Sequence, residues 1–391
     1  MDTKRLIARG ISRNVLLLSL VSFANDASSE IIMPILPLFI VSLGGDELII
    51  GLVSGIMESV SSLLKVVFGF VSDKLGKRKF LVLSGYSTSA LFKLLLSLST
   101  AWHHVVAFTA LERVGKGIRT APRDAIISES MPEERGKGFG IHRAFDTSGA
   151  VLGAILAFIF ISIMGLAYNT VILIAAVLAF VSLVPFIWIR DVKGGENRKL
   201  EFIKGLKGTS RSLKIFLAIA TIFSLANISF MFFLRRAQVI YSDDSMVLLL
   251  YIIFNISYAI FAYPFGILSD KIGRGRVLTT GYILFSLVCA GFVFSIQTQY
   301  ITPLFALYGV VYAIIDGNQR AFVSDLSTEE LRATSLGAFH TLIGLTALPA
   351  GVISGLLWTT ISYQATFIYA SLLSLIAGVM LTAYFARERN I

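Results

Sequence analysis

Long apolar runs separated by short polar turns occupy the chain from residue 14 to residue 385. Each run has about 20 or more residues, the length that an α-helix needs to cross the hydrocarbon core of a bilayer. The pattern therefore predicts an all-α integral membrane protein with twelve transmembrane helices. The predicted spans are 14–43, 47–72, 80–100, 104–128, 138–163, 169–190, 213–240, 246–269, 277–296, 301–325, 335–357 and 363–385.

The charges of the polar turns alternate along the chain. Lys and Arg are concentrated in the turns at 73–79, 133–137 and 270–276 and are missing from those at 44–47, 167–169 and 242–245. Basic segments are retained in the cytoplasm. Since the amino-terminal segment (Lys4, Arg5, Arg9, Arg13) and the tail (Arg387, Arg389) are basic too, we expect both termini in the cytoplasm, which requires an even number of spans.

Composition agrees with a multi-pass protein of the cell membrane. Hydrophobic residues make up 55% of the 391 residues and charged residues only 15%, against about 25% in a typical soluble domain. The net charge of +10 does not indicate nucleic-acid binding, because the basic residues lie in turns between apolar runs. The single cysteine, Cys289, excludes an internal disulfide framework.

The chain divides into two similar halves. The segment 191–212 is the longest polar stretch and is predicted to be a cytoplasmic linker between bundles at 1–190 and 213–391. The sequence from Gly69 to Lys77 reappears from Gly266 to Arg274, 197 positions later, and Arg123 and Arg320 match at the same spacing. Several matches at one spacing indicate duplicated six-helix units.

The loop after the second span carries a recognisable motif, G-x-x-x-D-[RK]-x-G-[RK]-[RK]. Its positions are filled by Gly69, Asp73, Lys74, Gly76, Lys77 and Arg78. On this motif the sequence resembles the major facilitator superfamily (MFS) of transporters, twelve-helix type, over nearly its whole length. The resemblance implies a substrate site near the bilayer midplane and a gating role for these loops. In the second copy, Asp270, Gly273 and Arg274 match, whereas Gly275 replaces a basic residue.

Two further segments resemble family motifs incompletely. Arg113 to Gly117 resembles R-x-x-Q-G, with Lys116 in place of Gln. Gly149 and Gly153 resemble the start of the antiporter motif G-x-x-x-G-P, but Ala154 replaces the Pro. The antiporter assignment therefore stays open.

Ionisable residues at membrane depth are costly and need partners or a wet cavity. Most of them fall in the first half, so we expect the transport chemistry there. The candidate coupling and substrate residues are Asp26, Glu30, Glu112, Arg113, Lys116, His142 and Asp146. The hypothesis is that Asp26 and Glu112 hold an exchangeable proton or a cationic substrate, with Arg113 as a switching counter-charge. The alternative is a static ion-pair network that locks the first, fourth and fifth helices.

Other charges are interpreted as structural, namely Arg119, Arg123, Asp124 and Arg320. His142 and Asp146 are one helical turn apart and form a candidate pH-sensitive pair, although a packing histidine fits as well. Pro122 interrupts the charged fourth span where a gate could bend.

The leading interpretation is a secondary transporter that moves a small organic solute by alternating access, coupled to protons. Efflux of a drug or metabolite cation and transport of an organic anion both remain possible, with a uniporter or a non-transporting receptor or scaffold as alternatives. Nucleotide, nucleophile-elbow and flavin motifs are missing from the sequence, so we expect no enzymatic activity, no cofactor and no metal. The expected partners are the small-molecule substrate and the lipid bilayer, and the expected state is a monomer.

Overall fold

The computed structural model describes residues 11–192, 209–295, 297–328 and 331–388, and all regular secondary structure in them is helical. Residues 193–208 of the predicted linker lie outside the described residues, as do Lys4, Arg5, Arg9 and Arg389. The helices are α1 (Arg13–Ile32), α2 (Leu36–Ser42), α3 (Glu47–Leu75), α4 (Arg78–Ser97), α5 (Trp102–Ser130), α6 (Arg135–Phe158), α7 (Tyr168–Val181), α8 (Arg211–Ala226), α9 (Phe230–Tyr241), α10 (Asp244–Ile272), α11 (Arg274–Phe294), α12 (Thr298–Asp325), α13 (Arg332–Thr360) and α14 (Tyr363–Glu388).

The predicted fold class is confirmed. Eleven stretches of helix among the described residues are long and apolar enough to cross a membrane. The remaining predicted span, the fourth, forms α5, which at 29 residues equals α3 in length but carries more charge. With α5 included, all twelve predicted helices are present.

Three predicted spans are interrupted, which the hydropathy pattern did not reveal. The first is broken between Ile32 and Leu36, where Pro34 removes a backbone donor, and Pro37 lies in the first turn of the helix that follows. In the sixth, the α-helix ends at Val181 and a short 3₁₀ helix follows at Val184–Trp188. The seventh is broken between Ala226 and Phe230, and the Ser229 hydroxyl accepts a hydrogen bond from the Met231 N–H to start α9. Backbone polar groups in such breaks must find partners inside the protein.

Two compact units make up the chain. Of the described residues, those within 11–44 and 60–192 belong to unit 1, and those within 45–59 and 209–388 belong to unit 2. In unit 1, α1 packs on α6, and α4 packs on α5 and α7. In unit 2, α10 packs on α12, and α11 packs on α12 and α14.

The duplication predicted from the sequence reappears in the helix ends. Helix α3 begins at Glu47 and ends at Leu75. Helix α10 begins at Asp244 and ends at Ile272, so both of its ends lie 197 positions after those of α3. In both copies the glycine that ends the helix, Gly76 or Gly273, has a positive φ, 62° and 98° respectively. Only glycine adopts this conformation without strain, which explains the repeated glycine in the motif.

Candidate functional site

Helices α1 and α6 of unit 1 approach each other closely at two glycines. A Cβ atom at Gly149 would collide with the backbone of Phe23, and one at Gly153 would lie 2.8 Å from the Cβ of Glu30. The pair of glycines therefore allows the two backbones to meet, as small residues do in membrane helix interfaces. This contact brings charged residues of α1 and α6 together at mid-helix.

Asp26 of α1 and Asp146 of α6 place their carboxyl groups within hydrogen-bonding range of each other. The Ser22 hydroxyl donates to Asp146 Oδ1 at 2.9 Å, and Arg143 pairs with Asp146 Oδ2 at 3.2 Å. The Asn25 amide approaches Asp26 Oδ1 at 3.4 Å. Both aspartates are half-buried, so the pair is held by the protein and is not sealed from its surroundings.

A polar network extends from this pair to α5. Arg123 donates to the Ser22 hydroxyl at 3.2 Å and pairs with Asp124 at 3.0 Å. Since Ser22 also donates to Asp146, the network connects α1, α5 and α6, the helices named in the static alternative. It includes Arg123 and Asp124, which were interpreted as structural.

Glu112 and Arg113, which are neighbours on α5, form a buried ion pair. Arg113 Nε lies 3.0 Å from Glu112 Oε2, and the two side chains are only 9% and 8% exposed. Arg113 also directs a guanidinium nitrogen to the sulfur of Met33, at 3.2 Å. Glu112 thus pairs with its sequence neighbour, whereas Asp26 pairs with Asp146.

Lys93 of α4 is buried among neutral oxygens. Its amine lies 2.8 Å from Ser29 Oγ, 3.0 Å from Ser28 Oγ and 3.4 Å from the carbonyl oxygen of Asn25, all on α1. Within the part of the chain that the structure describes, no carboxylate pairs with it. The sequence alone does not indicate this site, because the partners of Lys93 are serines from another helix and uncharged residues give no sequence signal.

The remaining basic residues of α5 differ in environment. Arg119 is buried, donates to Ser89 Oγ at 2.5 Å and lies 4.4 Å above the Tyr86 ring. Lys116 is exposed and, among the described residues, forms no ion pair. Its charge is therefore available to a solute.

His142 and Asp146 are not joined by a hydrogen bond. Neither ring nitrogen of His142 has a hydrogen-bond partner among the described residues, although the side chain is only 5% exposed. Glu30 lies one turn beyond Asp26 and packs its Cβ against Gly153. Five of the seven candidate residues of unit 1 therefore fall into an acid pair, an ion pair and an exposed lysine.

Unit 2 has an aromatic centre where unit 1 has charges. Phe223, the repeat equivalent of Asp26, stacks on Tyr282 with ring centroids 3.9 Å apart. Arg320 pairs with Asp316 on the same helix at 2.7 Å, and the Tyr258 hydroxyl donates to Asp316 at 3.1 Å.

Both motif loops build an arginine bridge between two acids. Arg78, 5% exposed, pairs with Asp73 at 3.2 Å and with Glu129 at the end of α5. Arg274 pairs with Asp270 at 3.0 Å and with Asp325 at the end of α12, at 2.6 Å. The arginine that forms the bridge thus stands one position earlier in the second motif.

Clusters of three or more His, Cys, Asp or Glu side chains that could hold a metal are missing from the described residues. The features that are present, long apolar helices that occur twice in the same order along the chain, define a polytopic membrane protein with a duplicated architecture.

The chain belongs to the major facilitator superfamily, whose family model matches residues 18–242 and 215–390. It is 52% identical over 379 residues to an uncharacterized MFS-type transporter of Methanocaldococcus jannaschii, with 95% of each chain covered. It is therefore a multi-pass membrane transporter. The protein lies in the lipid bilayer and acts on a small-molecule substrate.

Other relatives are more distant. Multidrug resistance protein MdtH of Yersinia pestis is 27% identical over 128 residues, covering 32% of each chain. Among solved structures, the nucleoside transporter NupG superposes with a TM-score of 0.79 at 17% identity, covering 95% of this chain and 99% of that one. A peptide transporter, POT, superposes with a TM-score of 0.76 at 15% identity, covering 99% of both chains. At these identities the two structures show a shared fold.

Proposed function

We propose that this protein is a proton-coupled secondary transporter that moves a small organic anion by alternating access. The observation that carries the proposal is the pair of carboxyl groups of Asp26 and Asp146, within hydrogen-bonding range inside the membrane-spanning part of unit 1. The pair replaces Asp26 and Glu112 as the proposed proton site, because Glu112 is engaged by Arg113.

A hydrogen bond between two carboxyl groups contains one proton. Two carboxylates this close cannot both stay ionised without strong repulsion, so such pairs bind a proton between them. Ser22 and Arg143 stabilise the charged partner, Asp146. Partial exposure of both side chains gives the proton a route in and out, which coupling requires.

The balance of charge in unit 1 favours an anionic solute. Lys116 is exposed and, among the described residues, unpaired. Arg113 lies one turn before it on α5, and Arg119 lies about one turn after it. Cationic groups in a low-dielectric site attract carboxylates and phosphates. Lys116 is therefore the proposed contact for the solute's negative group.

Export of an organic cation is the second candidate. The similarity to MdtH over 128 residues and the acids Asp26 and Glu30 favour it. In that case the solute's positive charge would compete with the proton for the carboxyl pair, and basic side chains would not contribute to its binding.

The proposed orientation has both termini in the cytoplasm of a cell-membrane protein, as the basic turns indicate. Cysteine accessibility tests it. A cysteine placed in the basic turn at 133–137 should react with a membrane-impermeant reagent only from inside, and one in the turn at 242–245 only from outside. The proposed oligomeric state is a monomer.

A ligand screen tests the function. Purified protein is heated with organic acids, organic amines and matched neutral analogues at two pH values, because a ligand that binds the folded state raises the melting temperature. We expect stabilisation by an organic acid that depends on pH in the wild type and loses that dependence in Asp146→Asn. Stabilisation by amines alone would favour cation export, and an acid that stabilises equally at both pH values would indicate a uniporter.

A further inference from the structure

The amine of Lys93 is one of the most buried charged groups in unit 1. The side chain is 2% exposed, and its hydrogen-bond partners are two hydroxyls and a backbone carbonyl. A buried ammonium is normally paired with a carboxylate because an isolated buried charge is costly. Lys93 has no such pair among the described residues, although α1 and α5 both carry acids nearby.

The oxygens around Lys93 accept from it and cannot donate to it. The Ser28 hydroxyl donates to the Ala175 carbonyl at 2.6 Å, and the Ser29 hydroxyl donates to the Asn25 carbonyl at 3.1 Å. A neutral amine has two N–H groups and an ammonium has three. The two short contacts, to Ser28 and Ser29, suit the amine, and the long contact to Asn25 supplies the third acceptor for an ammonium. The site accommodates both protonation states.

Charged groups act on Lys93 from two helices. Asp26 of α1 and Glu112 of α5 attract its positive form, whereas Arg113 and Arg119 of α5 repel it. Helix α7, which packs on α4, carries no Asp, Glu, Lys, Arg or His. Glu112 is held by Arg113 at 3.0 Å, so the acid with a variable charge is Asp26.

We propose that Lys93 is a second proton-binding residue of the transport cycle, which takes up a proton when the Asp26–Asp146 pair releases one. In this step an O–H bond of the carboxyl pair breaks and an N–H bond forms on Lys93, so the total charge is conserved. The proton passes directly or through water. Release leaves both carboxyl groups of the pair ionised, so the negative charge near Lys93 increases, and the attraction of Asp26 stabilises the ammonium. This inference rests on the proposed function, since it uses the same carboxyl pair.

The arrangement also explains the position of Lys93 along the bundle. Ser29 lies three residues, or about 4.5 Å along the axis, beyond Asp26 on α1. The hydroxyls that hold the amine and the carboxyl that faces Asp146 thus belong to one turn of helix. A movement of α1 would change both environments together.

Nuclear magnetic resonance of lysine side chains tests the inference without a substrate. The full-length protein, labelled at lysine Cε and Nζ, is placed in nanodiscs of phosphatidylcholine and phosphatidylglycerol and titrated. The Lys93 resonance is identified by its loss in Lys93→Met and, as a variant that keeps a cation, in Lys93→Arg. We expect it to change from ammonium to amine between about pH 5 and 9, where an ordinary lysine remains an ammonium. The matched control Lys271→Met removes an exposed lysine, whose resonance should remain that of an ammonium.

The coupling is tested in Asp146→Asn, which has one carboxylate fewer after proton release. The titration midpoint of Lys93 should move to lower pH by about half a unit or more. If the wild-type spectrum contains only ammonium resonances over this range, the inference is wrong even if neither Lys93 variant folds. A Lys93 transition that Asp146→Asn leaves in place would also overturn it.

The two proposals can fail separately. Infrared difference spectroscopy detects a protonated carboxyl, and in the wild type it should show one that Asp146→Asn removes. If it shows none, the proton site of the proposed function is wrong, whatever Lys93 does. If it shows one and Lys93 remains an ammonium, only the inference about Lys93 fails.

Discussion

The ring of Phe385 on α14 occupies the space into which a Cβ atom at Gly275 would project. Gly275 stands where the first motif has Arg78. A basic side chain there is incompatible with the packing of α14, and the adjacent Arg274 bridges Asp270 and Asp325 instead. The departure from the motif at this position therefore has a packing cause, and the charge bridge is kept.

Gly275→Ala should lower the melting temperature of the purified protein. Extra volume in a packed interior costs about 1–3 kcal/mol, and the Phe385 ring must shift to admit the methyl group. The double variant Gly275→Ala with Phe385→Ala should recover part of the loss relative to Phe385→Ala alone, because the obstructing ring is gone.

Gly266→Ala provides the matched control. Gly266 lies in α10, and a Cβ atom there would have no neighbour within 4 Å. Since alanine favours a helix over glycine by up to about 1 kcal/mol, this variant should be neutral or slightly stabilised. Equal destabilisation of both variants would contradict the packing explanation.

Removing the bridging arginine should harm the first half more than the second. Arg78 is 5% exposed, whereas Arg274 is 27% exposed. In Arg78→Gln a buried part of Glu129 loses its charged partner, and an unsatisfied buried polar group costs about 1–3 kcal/mol. Arg274→Gln leaves acids that are more than half exposed, where water screens the loss. Thermal denaturation of both variants should give a larger shift for Arg78→Gln, and the reverse order would refute this account.

Lys116→Met should weaken binding of an organic anion without destabilising the fold. A hydrogen bond to a charged group contributes about 1.5–3 kcal/mol, which corresponds to a loss in affinity of about 10- to 150-fold. Stability should be kept because the side chain is exposed and, among the described residues, unpaired. Isothermal titration with the acid found in the ligand screen measures the effect, with the exposed Lys74→Met as control. Unchanged affinity in Lys116→Met would place the anion contact elsewhere.

Much of the fold follows from local signals. Each span is long enough to cross a bilayer, the basic turns alternate, and the repeat of 197 positions aligns α3 with α10. The breaks before Leu36 and Phe230 were missed, because hydropathy averages over a window and Asn227 to Ser229 contain no proline. Pro34 was a usable signal for the first break.

The site was only partly predictable, because partners in it come from distant positions. Asp26 and Asp146 were each identified as candidates, but their pairing depends on the approach of α1 and α6 at Gly149 and Gly153. Spacing along one helix suggested instead that Asp146 pairs with His142, one turn away, and the structure contains no hydrogen bond between them. The positions of charged residues in the sequence identify the candidate site residues, whereas the tertiary contacts determine which of them pair.

The buried ion pair of Glu112 and Arg113 distinguishes a static role from a coupling role. In Glu112→Gln the Arg113 guanidinium loses its carboxylate inside the protein, and removal of one partner from a buried pair costs about 3–5 kcal/mol. The double variant Glu112→Gln with Arg113→Met removes both charges and should be more stable than Glu112→Gln alone. If the pair is static, the double variant should also keep the pH dependence of ligand-induced stabilisation seen in the wild type. Loss of that dependence in a well-folded double variant would indicate that Glu112, like Asp26, belongs to the proton-coupling site.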